Sequence, residues 1–264
     1  MRNISFNFII LFLFSIIFFR ANDAISQVDT ESLRKIDMKV GLSQNLQTTI
    51  GLRKGNTEFF ALSVAYRLDT LSDKYHAYGV GNLNYQDNSK GVFQRSGFLH
   101  LRFLKFWTKY FSQEVYAQKQ FDYFRRLKDR NIVGGGLRFS FDIKGKSDSS
   151  KRILNIYAGT GLMYENELLN IPKNYSTNLI RSASYLNITW IPSEKYNATS
   201  VTYFQQNIFN KDDYRILNIS SMNFNVSELL TFVFQFNYRY DSQPPLPELK
   251  TYDFEIRNGI NFTF

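Results

Sequence analysis

From Met38 to the last residue, apolar and polar side chains alternate with a period of two, and that periodicity leaves few folds open. At the C-terminus Tyr252, Phe254, Ile256, Ile260, Phe262 and Phe264 share one parity, while Asp253, Glu255, Arg257, Gly259, Asn261 and Thr263 hold the other. The preceding segment sets Phe232, Phe234, Phe236, Tyr238 and Tyr240 against Gln235, Asn237 and Arg239. Near the start, Met38, Val40, Leu42, Leu46, Ile50 and Leu52 oppose Lys39, Ser43, Asn45, Gln47 and Thr49. Phe60, Leu62, Val64, Tyr66 and Leu68 then oppose Ser63, Arg67 and Asp69. A strand turns such sets to opposite faces. No sustained helical stripe interrupts the pattern.

Twelve segments of this kind are expected, centred near residues 44, 63, 80, 98, 116, 137, 158, 185, 202, 220, 235 and 258, with looser boundaries around 80, 202 and 220. Each runs about 11–14 residues, a little over the 9–11 that carry a tilted strand across the hydrocarbon of a membrane. Turn-forming residues punctuate them: Lys54-Gly55-Asn56, Asp87–Gly91, Lys144–Asp148 and Lys211-Asp212-Asp213. Pro172, Pro192, Pro244, Pro245 and Pro247 are all assigned to connectors, where the missing N–H breaks no ladder.

A soluble sandwich alternates too, so the choice rests on other features. The run Phe8–Phe19 is too short to span a bilayer as a helix, but it has the length of a signal-peptide core, with Arg2 before it and Ala24-Ile25-Ser26 as a cleavage site. Arg20 closes the run early, which disfavours an uncleaved anchor. Aromatics make up 17% of the chain and gather at segment ends (Tyr66, Tyr75, Tyr110, Tyr164, Trp190, Tyr196, Tyr214), as an interfacial girdle requires. Ile260, Phe262 and terminal Phe264 resemble the C-terminal signal by which outer-membrane barrels are recognised for insertion. The expected organisation is a cleaved signal peptide at 1–26, an N-terminal periplasmic segment at 27–37, and one domain at 38–264. That domain reads as an all-β, 12-stranded antiparallel transmembrane β-barrel in the outer membrane of a Gram-negative bacterium. An even strand count puts both termini on the periplasmic side, with the longer connectors outside. With no cysteine, disulfides, thiolate metal sites and a cysteine nucleophile are excluded.

If the apolar parity meets lipid, the other parity lines a lumen. Its candidates are Arg67, Asp69, His76, His100, Arg102, Glu114, Arg138, Arg181, Arg239, Glu255 and Arg257, with Gln118, Gln120 and Asp142 beside them. Arginines outnumber acids there, which points to a small pore or passive channel preferring anions, with Arg102 or Arg138 as its filter. Arg67 with Asp69, and Arg257 with Glu255, are also obvious internal pairs, so a closed structural or partner-binding barrel is the alternative. A third reading, an outer-membrane lipid hydrolase using His76 or His100, finds only Ser96 and Tyr78 as nearby hydroxyls and no H-x-S or G-x-S-x-G spacing. The expectation is therefore no enzyme, no cofactor and no metal. Gly134-Gly135-Gly136 has no helix after it, so it is no phosphate loop and reads as a strand bend or close backbone approach. Arg125, Arg126, Lys128 and Arg130 read as a basic outer loop. Expected partners are the lipid bilayer with its lipopolysaccharide, the barrel assembly machinery through the last strand, and a small anionic solute, but no nucleic acid.

Several stretches together resemble one family. They are Gly55-Asn56-Thr57, Tyr123–Arg126, Arg130–Leu137, Gly159-Thr160-Gly161 with Tyr164-Glu165, Pro244-Pro245 leading to Lys250-Thr251 and Asp253, and Gly259–Phe264. In order and spacing they are similar to the salt-induced outer-membrane protein family, whose domain of unknown function is numbered 481. Two departures stand out: Tyr252 separates Thr251 from Asp253, and Arg138-Phe139 replaces the family's Gly-Tyr. The resemblance implies an outer-membrane barrel, without a known substrate or catalytic residues.

Overall fold

A computed structural model describes residues 40–262 except 55–57, 89–90, 124–125, 145–151, 172–174, 228 and 245–249. The signal peptide, the segment 27–37, Gly55-Asn56, Arg125, Pro172, Pro245, Pro247 and Phe264 lie outside the described residues.

Every regular element described is a strand: β1 (Gly41–Arg53), β2 (Phe59–Leu71), β3 (Tyr75–Asn88), β4 (Gly91–Phe106), β5 (Phe111–Asp122), β6 (Leu127–Lys144), β7 (Arg152–Leu169), β8 (Ser176–Ser193), β9 (Tyr196–Asn207), β10 (Tyr214–Asn225), β11 (Leu230–Asp241) and β12 (Tyr252–Phe262). All twelve expected segments are present. β6, β7 and β8 run 18 residues each, longer than the period-two pattern indicated. Pro192 is a correction: it lies inside β8 rather than in a connector. It sits where the β8–β9 register slips between Trp190 and Ser193, an irregularity that spares the ladder a missing N–H.

Each strand pairs antiparallel with the next, in one sheet ordered from β1 to β12. That sheet curls into a barrel. In a flat sheet β4 and β8 would lie ~19 Å apart at ~4.8 Å per strand. Yet the Arg102 guanidinium of β4 is 6.0 Å from the Tyr185 ring of β8, and Tyr185 donates to Glu114 of β5 at 3.2 Å. The convex face carries Leu99, Leu101, Phe103, Val133, Leu137, Leu162, Leu186 and Phe204, all exposed. No aqueous protein leaves so continuous an apolar band in water. Exposed Tyr75, Trp107, Tyr110, Trp190 and Tyr196 edge the band at one end, and Tyr123, Tyr164, Tyr175 and Tyr252 at the other. One end of the barrel holds residues 40 and 262 with the turns 72–74, 107–110, 194–195 and 226–229, and is termed the terminal end. The opposite end is the far end.

Candidate functional site

The concave face is dense with charge, arranged in two groups. Towards the far end, Glu165 of β7 is the hub. It accepts from Arg130 Nε of β6 at 2.9 Å and again from Arg130 Nη2, from Arg181 Nε of β8 at 3.3 Å, and from Arg215 Nη1 of β10 at 3.1 Å. Arg181 also grips Asp213 through two nitrogens at 2.8 and 3.1 Å, drawing the β9–β10 connector inward. Asn207 donates to the same carboxylate at 3.1 Å. Arg215 reaches Asp241 of β11 at 2.9 Å, and Glu167 stands 3.5 Å from both Arg130 and Arg215. Charges taken out of water are tolerable only when paired in this way.

Towards the terminal end, Arg67 donates from Nε and Nη2 to Asp69 at 2.5 and 2.6 Å, and Asp69 also meets His76 Nε2 at 3.1 Å. Tyr78 lies beneath the Arg67 guanidinium at 4.9 Å and between the two imidazoles, 5.1 Å from His76 and 6.0 Å from His100. Arg102 faces Glu114 at 3.5 Å, with Tyr116 and Tyr185 as aromatic neighbours. Arg138 stacks 4.1 Å over Tyr157.

Between the groups the wall of β6 and β7 is bare on the inside. Gly136 pairs with Gly161, and the two backbones are so close that a Cβ on either would meet a carbonyl of the opposite strand, Thr160 or Gly135. Gly134 and Gly159 lie under the rings of Tyr116 and Tyr185, which use the space that side chains would have taken. The glycine run is thus a site of close approach, as its lack of a following helix indicated. A cavity of about 50 Å³, room for a few waters, remains among His100, Arg102, Glu114, Arg130, Tyr185 and Gln205.

The sequence-derived residues therefore divide. Arg67, Asp69, His76, His100, Arg102, Glu114, Arg138 and Arg181 are buried on the concave face. Arg239 and Asp142 are half-buried, whereas Glu255 and Arg257 are exposed and paired with each other at 2.7 Å. Gln118 bridges His100 Nδ1 at 3.1 Å and Gln120 at 2.6 Å. Ile260 is exposed in β12, and Phe262 is its last residue. The two histidines belong to separate surroundings, a carboxylate for His76 and an amide for His100. Ser96 stands four residues along β4 from His100, ~13 Å by strand rise, and is out of reach of that imidazole.

Two readings change. Arg130 is not part of a solvated loop: it is 1% exposed inside the barrel, because the tight turn at Arg126 (φ 57°) starts β6 at Leu127. Nor do arginines outnumber acids among the buried groups. Arg67, Arg102, Arg130, Arg138 and Arg181 are matched by Asp69, Glu114, Glu165, Glu167 and Asp213. Glu165, Glu167, Asp213, Arg215 and Asp241 are the residues that sequence reasoning missed. The inward parity of β7 carried the signal for the two glutamates.

Exposure of the concave face is uneven. Asn45, Gln47 and Thr49 on β1 and Glu255 and Arg257 on β12, the two edge strands of the described sheet, have inward parity and are exposed, while their counterparts on β2 to β9 are mostly buried.

A curled twelve-strand antiparallel sheet, apolar and aromatic-belted outside and charged within, defines an outer-membrane-type β-barrel. The chain belongs to the family described as "Protein of unknown function, DUF481", whose model matches residues 48–264. No curated protein matches it. Among solved structures it is similar to one described as "NanC porin structure in rhombohedral crystal form", at 9% identity and a TM-score of 0.44, over 83% of this chain and 100% of that one.

Proposed function

We propose that this barrel is a small passive channel in the outer membrane of a Gram-negative bacterium, inserted through its last strand after loss of residues 1–26. The single observation that supports a channel is the polar inward parity, which runs from Asn45, Gln47 and Thr49 of β1 round to Glu255 and Arg257 of β12 behind an apolar outer face. The ion-paired groups extend from β2 to β11, and on β1 and β12, the two edge strands of the described sheet, the inward parity is polar and exposed. Transport needs polar walls that hold a solute weakly, and a fully paired wall is a scaffold beside them. Lipopolysaccharide and the bilayer meet the apolar band, and no reaction chemistry is assigned to the histidines.

Anion preference in this channel falls to Arg53 and Arg257, exposed on β1 and β12, against Glu255. Arg102 and Arg138 are buried against Glu114 and Tyr157 and are freed from the filter role. The test is the reversal potential of the refolded mature protein in a KCl gradient. A unit charge ~7 Å from a watery path contributes about 0.6 kcal/mol, a factor of roughly 2–3 in permeability ratio. Arg53→Gln with Arg257→Gln removes two such charges and is expected to shift selectivity towards potassium by roughly 4–9-fold, and Arg102→Gln to leave it unchanged. Folded protein without conductance would replace the channel with the closed, partner-binding barrel that the balanced buried pairs favour.

A further inference from the structure

The convex wall over β2 to β5, strands paired on both sides, is hollowed where Gly79, Gly81 and Gly97 carry no side chain. A mostly apolar concavity of about 500 Å³ lies among these glycines, Leu83, Leu99 and Lys119. A second, of about 570 Å³, shares Leu68, Gly79 and Leu101 with it and continues past Phe103 towards the terminal end. Along β4 the two aromatic belts stand beside Arg95, at Tyr123, and at Trp107. The run from Arg95 to Trp107, at ~3.3 Å per residue and a tilt of ~40°, covers ~30 Å, the thickness of the hydrocarbon. The first concavity, from Gly97 to Leu101, therefore spans the leaflet at the far end.

Cations gather at its far rim. Lys119 lines the groove and pairs with Asp129 at 2.8 Å. Arg95, two residues from Gly97, lies over the Tyr123 ring at 5.3 Å. Backbone bonds from Tyr123 to Arg95 and from Arg126 to Tyr123, at 3.0 and 3.1 Å, bring exposed Arg126 to the same rim, and exposed Lys128 follows in β6. No carboxylate among the described residues pairs with Arg95, Arg126 or Lys128. The acids on β5 and β6 here are Asp122 and Asp129, so positive charge is in excess.

We infer that this groove holds one molecule of lipopolysaccharide, with an acyl chain over Gly81 and Gly97 and a lipid A phosphate against Arg95, Arg126 and Lys128. The chain alone selects nothing, because neighbouring lipid tails are as apolar as the groove. The phosphate selects, through charge-assisted hydrogen bonds to guanidinium and ammonium groups. The inference rests on the outer-membrane reading, with the far end outward, and not on an open lumen.

Folded protein in detergent is mixed with bisphosphorylated lipid A, with its dephosphorylated form, and with phosphatidylglycerol, and the lipids retained are counted by native mass spectrometry. One lipid A per barrel is the expected result, with the other two lipids released. A basic residue at an anionic headgroup is worth about fivefold, so joint Arg95→Gln, Arg126→Gln and Lys128→Gln should weaken retention roughly 100-fold. Gly81→Leu, whose Cβ would stand at an ordinary 3.5 Å from Leu99, fills the groove and should weaken retention too. Lys105→Gln with Lys109→Gln, at the terminal end, should change nothing. Folding of every variant is verified by heat-modifiable migration on gels. Lipid A released like the others, or retention that survives the triple substitution or Gly81→Leu, overturns the site. So does an equal loss in the terminal-end pair. Phosphatidylglycerol or dephosphorylated lipid A held as firmly as lipid A overturns the assignment to lipopolysaccharide. Protease cleavage of the far-end connectors on intact cells checks the outward placement separately, and its failure overturns that placement alone.

Discussion

Replacing Glu165 by glutamine is expected to cost about 3 kcal/mol of barrel stability, read as a fall in the urea midpoint of protein folded into vesicles. Breaking a buried pair from one side costs about 3–5 kcal/mol, because the abandoned charge stays out of water. Here three guanidiniums lose their common acceptor. The lower end applies because each keeps a second carboxylate: Arg130 has Glu167, Arg181 has Asp213, and Arg215 has Asp241. The exposed pair Lys119–Asp129 on the outer wall is the control, and Lys119→Gln should cost under about 1 kcal/mol. The salt response should differ as well, since molar salt screens a partner at the surface but not one at 0% exposure. Equal midpoints for the two variants would show that the hub carries no load.

Gly161→Val is expected to prevent the barrel from folding, seen as loss of the heat-modifiable band. Overpacking a core usually costs 1–3 kcal/mol because side chains can shift. Beside Gly161 the obstacles are the Gly135 carbonyl and the Gly136 Cα, which are backbone and cannot swing aside. Gly159→Ala is the instructive contrast. What a Cβ meets there is the Tyr185 ring, whose displacement sacrifices its hydrogen bond to Glu114 and about 1 kcal/mol. Gly51→Ala, whose added carbon would stand 3.5 Å from the Ala61 Cβ, should be silent. A folded Gly161→Val barrel would mean that β6 and β7 can separate without loss, contrary to their pairing.

Strand number and strand centres were readable because parity is a local property, fixed by residues two apart. The same locality found Arg67 with Asp69 and Arg257 with Glu255, both i and i+2 on one strand. It could not find Arg215 with Glu165, which are 50 residues apart and meet only through curvature of the whole sheet. Asp213 was hidden differently: a Lys-Asp-Asp run has the chemistry of a turn, and the turn is real, but its last carboxylate folds back under Arg181. Pro192 was misplaced because a proline signals an interrupted ladder without saying whether the interruption is a loop or a register slip.

The Glu165 hub has a consequence for the order in which this protein is built. Its ligands come from β6, β8 and β10, and Arg215 in turn needs Asp241 at the end of β11. A nascent barrel that has laid down only β1 to β9 holds Glu165 with Arg130 and Arg181 but lacks Arg215 and Asp241. Its charges are settled only when the last quarter of the chain arrives. The ion-pair cluster thus favours a chain laid down through β11 over any sheet that stops short of it.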